Sequence, residues 1–325
     1  VYWKLKSAVQ RWIARLPRRP GSAAYYLLQR RLGSLRRLSP LRRLEMGAAL
    51  LGHLSDRGRT ARGATFLEVG TGWRLNVPIA LWLAGAEGIV TVDLNRYLKP
   101  RLVQEDLDWI ARRRQRVCEL LGPCADAGLL HDRLDRLGAV RRRDLANLLK
   151  LLGIRYLAPA DATRLPLPSH TIDFHVSCTV LEHVPPPELA SILAEGTRVL
   201  KRNGMFLHYV DFSDHFAHSD PGIPSIHFLR FSEEAWRHHA GNRFAYHNRM
   251  RVDDYGRLFR ELGLPVEPAA PRVDPDALDA LEAGFPLDPR FALSSPESNA
   301  TTDTWLIAPA EALATAAAPP RRLAG

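Results

Sequence analysis

From about residue 64 onward the chain alternates short apolar runs with helical stretches, and this alternation limits it to a parallel sheet covered by helices on both faces. Residues 66–69 read as a buried strand and 77–83 as a helix, with Pro78 tolerated in its first turn. A second strand over 88–92 ends at Asp93. Strands follow over 156–158, 172–176, 205–211 and 304–308, with helices over 187–200 and 253–262. Gly204 is expected to supply a turn and Gly263 a helix stop. The stretch 100–152, with "ARRRQRV" and "RRRDLANLLKLL", exceeds what a crossover needs and reads as a helical insertion.

Composition bounds the class. In 325 residues, 46% hydrophobic and 25% charged content fits a soluble globular protein with a sizeable core. No apolar run approaches the roughly 18 residues that span a membrane. Lys4, Lys6, Arg11 and Arg15 interrupt any secretory signal core. Cys118, Cys124 and Cys178 form no C-x-x-C pair, so a reducing cytoplasm is the default location. Charge is uneven: residues 1–62 carry +13 and the remainder −3. Val1, Leu5, Val9, Trp12, Ile13 and Leu16 recur at helical spacing among cations, which reads as an amphipathic basic helix. Residues 1–62 are therefore expected as a basic helical extension, either solvated or peripheral to an anionic membrane face. Nucleic acid is a weaker partner, since no recognition motif accompanies the charge. Residues 309–325 are expected as a flexible tail.

The stretch "TFLEVGTGWRLNVPIAL" joins strand, glycine turn and helix. A dinucleotide fingerprint, G-x-G-x-x-G, would need a third glycine at Leu75, which counts against NAD. The pattern acid-x-G-x-G fits instead, with Glu68, Gly70 and Gly72, and Asp93 stands where a carboxylate could take ribose hydroxyls. Glycines let backbone approach a ligand closely, and exposed amides at a helix start favour a carboxylate.

Downstream residues point further. Asp161-Ala162, Leu165-Pro166, Asp173-Phe174, Leu181-Glu182-His183-Val184 and Glu195…Arg198-Val199-Leu200-Lys201 occur in that order. This block resembles class I S-adenosylmethionine-dependent methyltransferases, closest to the type 11 group, over roughly residues 64–212. A thinner resemblance is to a bacterial subgroup associated with surface polysaccharides or natural products. The resemblance implies a Rossmann-like α/β sheet of seven strands, mostly parallel with the last antiparallel, within a domain over 63–308. It implies S-adenosyl-L-methionine as cofactor. Glu68, Gly70 and Gly72 would hold the methionine end, Asp93 the ribose, Asp161 and Ala162 the adenine, and Cys178 and Thr179 would line the transfer site. The departures are Arg74 in place of a third glycine, "KRNG" for the common "KPGG", and the order "IDF".

An oxygen acceptor would benefit from a general base. His183 comes first, then His208 and Asp211, with His215 and His218 as further options. Residues 212–250, including Asp220, His227, Phe228, Phe231 and Trp236, read as a substrate lid. The histidine spacing there matches no familiar metal site, and no metal is expected. Arg249 and Arg251 could bind an acidic substrate or lie on the surface. The expected activity is methyl transfer to a small-molecule, glycan or lipid-linked acceptor, most simply at oxygen. The alternatives are a degenerate fold serving as a scaffold, kept open by Arg74, and a nucleic-acid methyltransferase, disfavoured because its asparagine-proline-proline-aromatic signature is absent.

Overall fold

The computed structural model describes residues 2–37, 39–140 and 145–310. Its first half contains helices α1 (Tyr2–Arg15), α2 (Arg18–Arg31), α3 (Ser34–Arg37), α4 (Pro40–Ser55), α5 (Asn76–Leu83), α6 (Pro100–Arg112), α7 (Arg114–Leu121), α8 (Ala127–Val140) and α9 (Leu145–Leu151). Strands β1 (Thr65–Val69), β2 (Gly88–Val92) and β3 (Ile154–Leu157) lie among them. The second half runs β4 (Ile172–Cys178), α10 (Pro186–Val199), β5 (Leu200–Asp211), α11 (Glu233–Ala240), α12 (Val252–Glu261), β6 (Glu267–Val273), α13 (Pro275–Glu282), α14 (Pro296–Ala300) and β7 (Thr301–Pro309).

Seven strands form one sheet in the order β3-β2-β1-β4-β5-β7-β6. Strand β1 pairs parallel with β2 and β4, β2 pairs parallel with β3, and β6 pairs antiparallel with β7. This is the mixed, mostly parallel sheet expected from the sequence. The direction of winding reverses between β1 and β4, and ligands in such sheets sit beyond the carboxyl ends of the strands there.

The chain divides into two compact units. One comprises Leu38–Cys178 and Ser191–Leu207, together with Pro309 and Ala310. Its strands are near-continuous apolar runs, with Phe66, Leu67, Ile89, Val92, Phe174 and Val176 all buried, as parallel strands covered on both faces require. The motifs around them are structural clamps. Asp173 accepts from the Thr65 amide (2.9 Å) and from Lys201 Nζ (2.8 Å), so "IDF" and "RVLK" tie β1, β4 and β5 together. Glu195 accepts from the Leu165 amide and from Arg198 Nη2, both at 2.7 Å, which anchors the Leu-Pro loop to α10.

Gly204 does not make a turn: β5 continues through it. A Cβ there would come within 2.8 Å of Lys201 O and 3.1 Å of Asp173 O, so the glycine serves close backbone approach.

The other unit comprises Val1–Arg37, Thr179–Ala190 and His208–Ala308. The basic front end expected over 1–62 is thus divided, with α1 to α3 grouped here and α4 in the first unit. Residues 212–250 are built into a core: Phe216, Phe228 and Trp236 pack with Trp3 of α1 and with Phe291. The buried residues of α1 are Trp3, Ser7, Gln10 and Ile13. Of the apolar residues read from the sequence, Ile13 turns inward, while Leu5 (61% exposed) and Trp12 (64%) point to solvent. Polar residues turn inward because they find partners. Ser7 Oγ donates to His239 O (2.8 Å), and Asp220 accepts the Trp3 amide (2.8 Å) at the start of α1.

Strand β6, "EPAAPRV", escapes period-two patterning. It holds two prolines, which an edge strand tolerates, and its pairing with β7 shifts register after Ala269. Of the expected tail, residues 309 and 310 are described and 311–325 lie outside the described residues.

Candidate functional site

In the first unit, β1 ends in a turn whose two glycines have left-handed backbone, Gly70 at φ +88° and Gly72 at φ +63°. Side chains are strained there, and a Cβ on Gly72 would meet nothing within 4 Å, so the turn is open to a ligand. The Gly70 amide donates to Val92 O (2.8 Å) and the Gly72 amide to Asp93 Oδ2 (3.0 Å). Asp93 Oδ1 accepts from the Asn95 amide (2.9 Å). Burial raises the Asp93 pKa, and these two bonds partly offset it. Asp93 O also accepts from the Ala160 amide (2.9 Å), which brings the Asp161–Ala162 loop beside it. Asp161 is exposed and accepts the Thr163 amide (2.9 Å), while Ala162 is buried.

Glu68 is buried one step behind the turn. Thr91 Oγ1 donates to its Oε2 (2.5 Å), and Thr71 Oγ1 lies 2.6 Å from Thr91 Oγ1. Burial pushes the Glu68 carboxyl up to about 8 against the opposing Thr91 bond. Arg74 does not occupy the turn. Its guanidinium binds Asp106 and Leu102 O on α6, with Glu105 at 3.6 Å, and its backbone is not left-handed. Cys178 is buried at the end of β4.

In the second unit the chain past β4 opens at Thr179, a non-glycine residue at φ +56° whose amide donates to Tyr209 O (2.9 Å). Such strain in a non-glycine residue clusters at functional sites. Three residues on are Glu182 and His183. His183 Nδ1 donates to Tyr246 O (2.8 Å), which leaves Nε2 as a lone pair, 4.0 Å from Glu182 Oε1. Asp211, at the end of β5, accepts from the Ser213 amide (2.9 Å) and hydroxyl (2.5 Å), and its Oδ2 faces His215 Nε2 (3.5 Å) and His218 Nε2 (3.7 Å). His247 completes the group. Its Nδ1 accepts from the Arg249 amide (2.9 Å) and its Nε2 donates to Asp211 O (3.3 Å). The rings of His183, His215 and His247 meet edge to face.

Desolvation lowers the pKa of His183, His218 and His247, so these rings are neutral near pH 7. For Asp211, burial acts upward, but the facing His215 and His218 and the Ser213 hydroxyl outweigh it and lower the carboxyl.

Residues 139–208 match the family model described as a methyltransferase domain. That match takes in Asp161, Ala162, Cys178, Thr179 and His183 but not the glycine turn after β1 or Asp93 after β2. Over residues 139–208 the chain carries the sequence of a methyltransferase domain, and its seven-stranded mixed sheet is an α/β methyltransferase fold. Among solved structures, the chain is similar to magnesium protoporphyrin IX methyltransferase from Synechocystis PCC 6803. The identity is 11%, coverage is 82% of each chain, and the TM-score is 0.40. It is also similar to the YcgJ protein of Bacillus subtilis, at 14% identity, 80% and 94% coverage and TM-score 0.39. A geranyl diphosphate methyltransferase gives 14% identity, 92% and 94% coverage and TM-score 0.41. No curated protein matches the chain.

Of the expected base candidates, the fold brings His183 and Asp211 into one cluster with His215 and His218. His208 is set apart: it is fully buried in β5 against the Phe259 ring, a core position that no acceptor reaches. His227 is likewise a core residue, bonded to Asp214 (3.1 Å) under Trp3. Arg249 and Arg251, expected at a substrate or the surface, are both fully buried, with their terminal nitrogens bonded to backbone carbonyls and, for Arg249, to Glu233. Glu182 and His247 were missed as site residues from sequence, since His215, which the fold brings to both, lies more than 25 residues from each along the chain. Among the described residues no helix is long and apolar enough to cross a membrane.

Proposed function

We propose that the methyltransferase moves a methyl group from S-adenosylmethionine to a hydroxyl oxygen of a small-molecule or glycan acceptor. The observation that carries this is the His183 ring, whose Nδ1 is held by Tyr246 O so that Nε2 is a neutral acceptor at the cluster edge. In this assignment Glu68, Gly70 and Gly72 receive the methionine end, Asp93 the ribose, and Asp161 with Ala162 the adenine. Cys178 and Thr179 line the transfer position. The sulfonium is already activated, so alignment and removal of the acceptor proton are what the protein supplies. His183 takes that proton and Asp211 favours the imidazolium that results. Transfer of labelled methyl groups to a panel of hydroxylated acceptors tests this. His183→Ala is expected to lower kcat on the order of 10²-fold with binding of S-adenosylhomocysteine unchanged. Equal turnover in the variant would remove His183 from the role.

An acceptor built on a lipid carrier suits the front end. Tyr2, Leu5 and Trp12 form an exposed stripe on α1, and no acidic residue precedes Glu45. Co-sedimentation with anionic vesicles is expected at low salt and lost on Leu5→Glu with Trp12→Glu. Sedimentation that ignores both changes would remove α1 from membrane contact.

A further inference from the structure

We propose that Glu182, His183 and His215 bind a divalent transition-metal ion. One ligand atom from each lies within 4.8 Å of the other two. Donors at about 2.1 Å on one tetrahedral zinc ion are about 3.4 Å apart, so an inward shift of each donor atom by about 1 Å or less closes the set. Two imidazole nitrogens and one carboxylate are a donor set for Zn²⁺ or Fe²⁺ rather than for Mg²⁺ or Ca²⁺, and three protein ligands leave coordination positions open.

The surroundings hold these donors as outer groups hold metal ligands. The Tyr246 carbonyl fixes His183 in the tautomer with Nε2 free, the arrangement seen behind ligating histidines. Lys6 Nζ of α1 donates to His215 O (2.9 Å) and Ser219 Oγ (2.8 Å), which fixes the loop that carries His215. Asp211 Oδ2, 3.5 Å from His215 Nε2, stands beside the set as a further oxygen. His247 has both nitrogens occupied and serves as a brace. Glu182 is 1% exposed, so its carboxylate faces inward, while His183 has 44% of its side chain open to solvent and gives an ion a way in.

The inference goes beyond the acceptor-site assignment and would replace its base: an ion on His183 Nε2 would leave that nitrogen unable to take a proton, and would instead acidify an acceptor hydroxyl that gives its proton to solvent.

The test uses the full chain after chelator treatment, titrated with Zn²⁺ and with Co²⁺ as a spectroscopic probe, with metal content measured after dialysis. One equivalent of either ion is expected, with Co²⁺ absorption bands characteristic of nitrogen and oxygen ligation. Glu182→Gln, His183→Ala and His215→Ala should each weaken binding at least about 10-fold, while His53→Ala should leave it unchanged. Circular dichroism melts and S-adenosylhomocysteine binding report whether each variant is folded. Absence of a stoichiometric ion on the folded wild type would overturn the proposal. So would retention of the ion by the folded double variant His183→Ala/His215→Ala, which would place it elsewhere, for instance at Cys118 and His131, 3.9 Å apart. Methyl transfer that survives chelation leaves the acceptor assignment standing without the metal, whereas a metal-loaded protein that transfers no methyl group to any acceptor separates the two the other way.

Discussion

Arg251→Ala should destabilise the protein by about 3–5 kcal/mol, the scale for removing one partner from a buried charged network. The guanidinium is fully buried and donates to four backbone carbonyls: Phe212 O (2.6 Å), Ser298 O (3.0 Å), Asn299 O (2.8 Å) and Thr301 O (2.6 Å). These carbonyls follow β5, belong to α14 and open β7, so one side chain fastens three elements of its unit. Its backbone amide also donates to Asp254 at the start of α12. Burial lowers the Arg251 pKa to about 10, against the pull of Asp254 and Asp211, so the group remains charged near neutral pH. Alanine would strip the carbonyls of their donors in a place water does not reach. Arg251→Lys should recover little, because three donors on a point charge cannot match the planar fork. Urea unfolding of the three proteins checks this. A loss below about 1 kcal/mol would show that water or neighbouring groups replace the guanidinium.

Glu68 gives the second large effect. Its carboxyl stands at about 8 in the folded protein against an ordinary 4.5, with burial as the main cause. The folded state therefore holds a proton that the unfolded state releases between those values. Stability should be greatest below pH 4.5 as far as this group is concerned, fall as pH rises through the window, and reach its full loss above about 8. At 1.36 kcal/mol per pH unit the loss is about 4–5 kcal/mol at most. Glu68→Gln should remove that slope and be the more stable protein at pH 9, while still accepting from Thr91. An ammonium group from bound S-adenosylhomocysteine should favour ionised Glu68 and narrow the difference between the two proteins at high pH. Urea midpoints at pH 5, 7 and 9 decide it. Parallel pH dependences of wild type and Glu68→Gln would mean that Glu68 ionises normally.

Local chemistry was legible in the sequence where it depends on neighbours in the chain. The strand, glycine turn and helix over residues 65–83 and the acid at the end of β2 follow from short-range patterns, whereas the Asp173–Lys201 pair joins residues 28 positions apart and did not. Three things were not. The inward face of α1 carries Ser7 and Gln10, and the bond from the Ser7 hydroxyl to His239 O is one that a hydrophobic period cannot anticipate. Strand β6 sits at the sheet edge, where prolines are tolerated and alternation is weak. The histidine cluster gathers residues 182, 183, 211, 215, 218 and 247, and no spacing along the chain encodes that meeting. Buried Arg249 and Arg251 belong with it: a charged residue in a sequence defaults to the surface, and only the carbonyls assembled by tertiary structure make its burial favourable.

Calorimetric binding of S-adenosylhomocysteine to wild type, Asp93→Ala and Asp93→Asn tests most directly whether the glycine turn and the acid after β2 hold the cofactor. Wild-type binding in the micromolar range is expected, weakened by about 1–3 kcal/mol in the alanine variant, the scale of lost hydrogen bonds to a charged group. Asp93→Asn keeps an acceptor for the Gly72 amide, so a loss there too assigns the effect to the carboxylate rather than to the turn. Undiminished binding in folded Asp93→Ala, or none in folded wild type, would contradict the account.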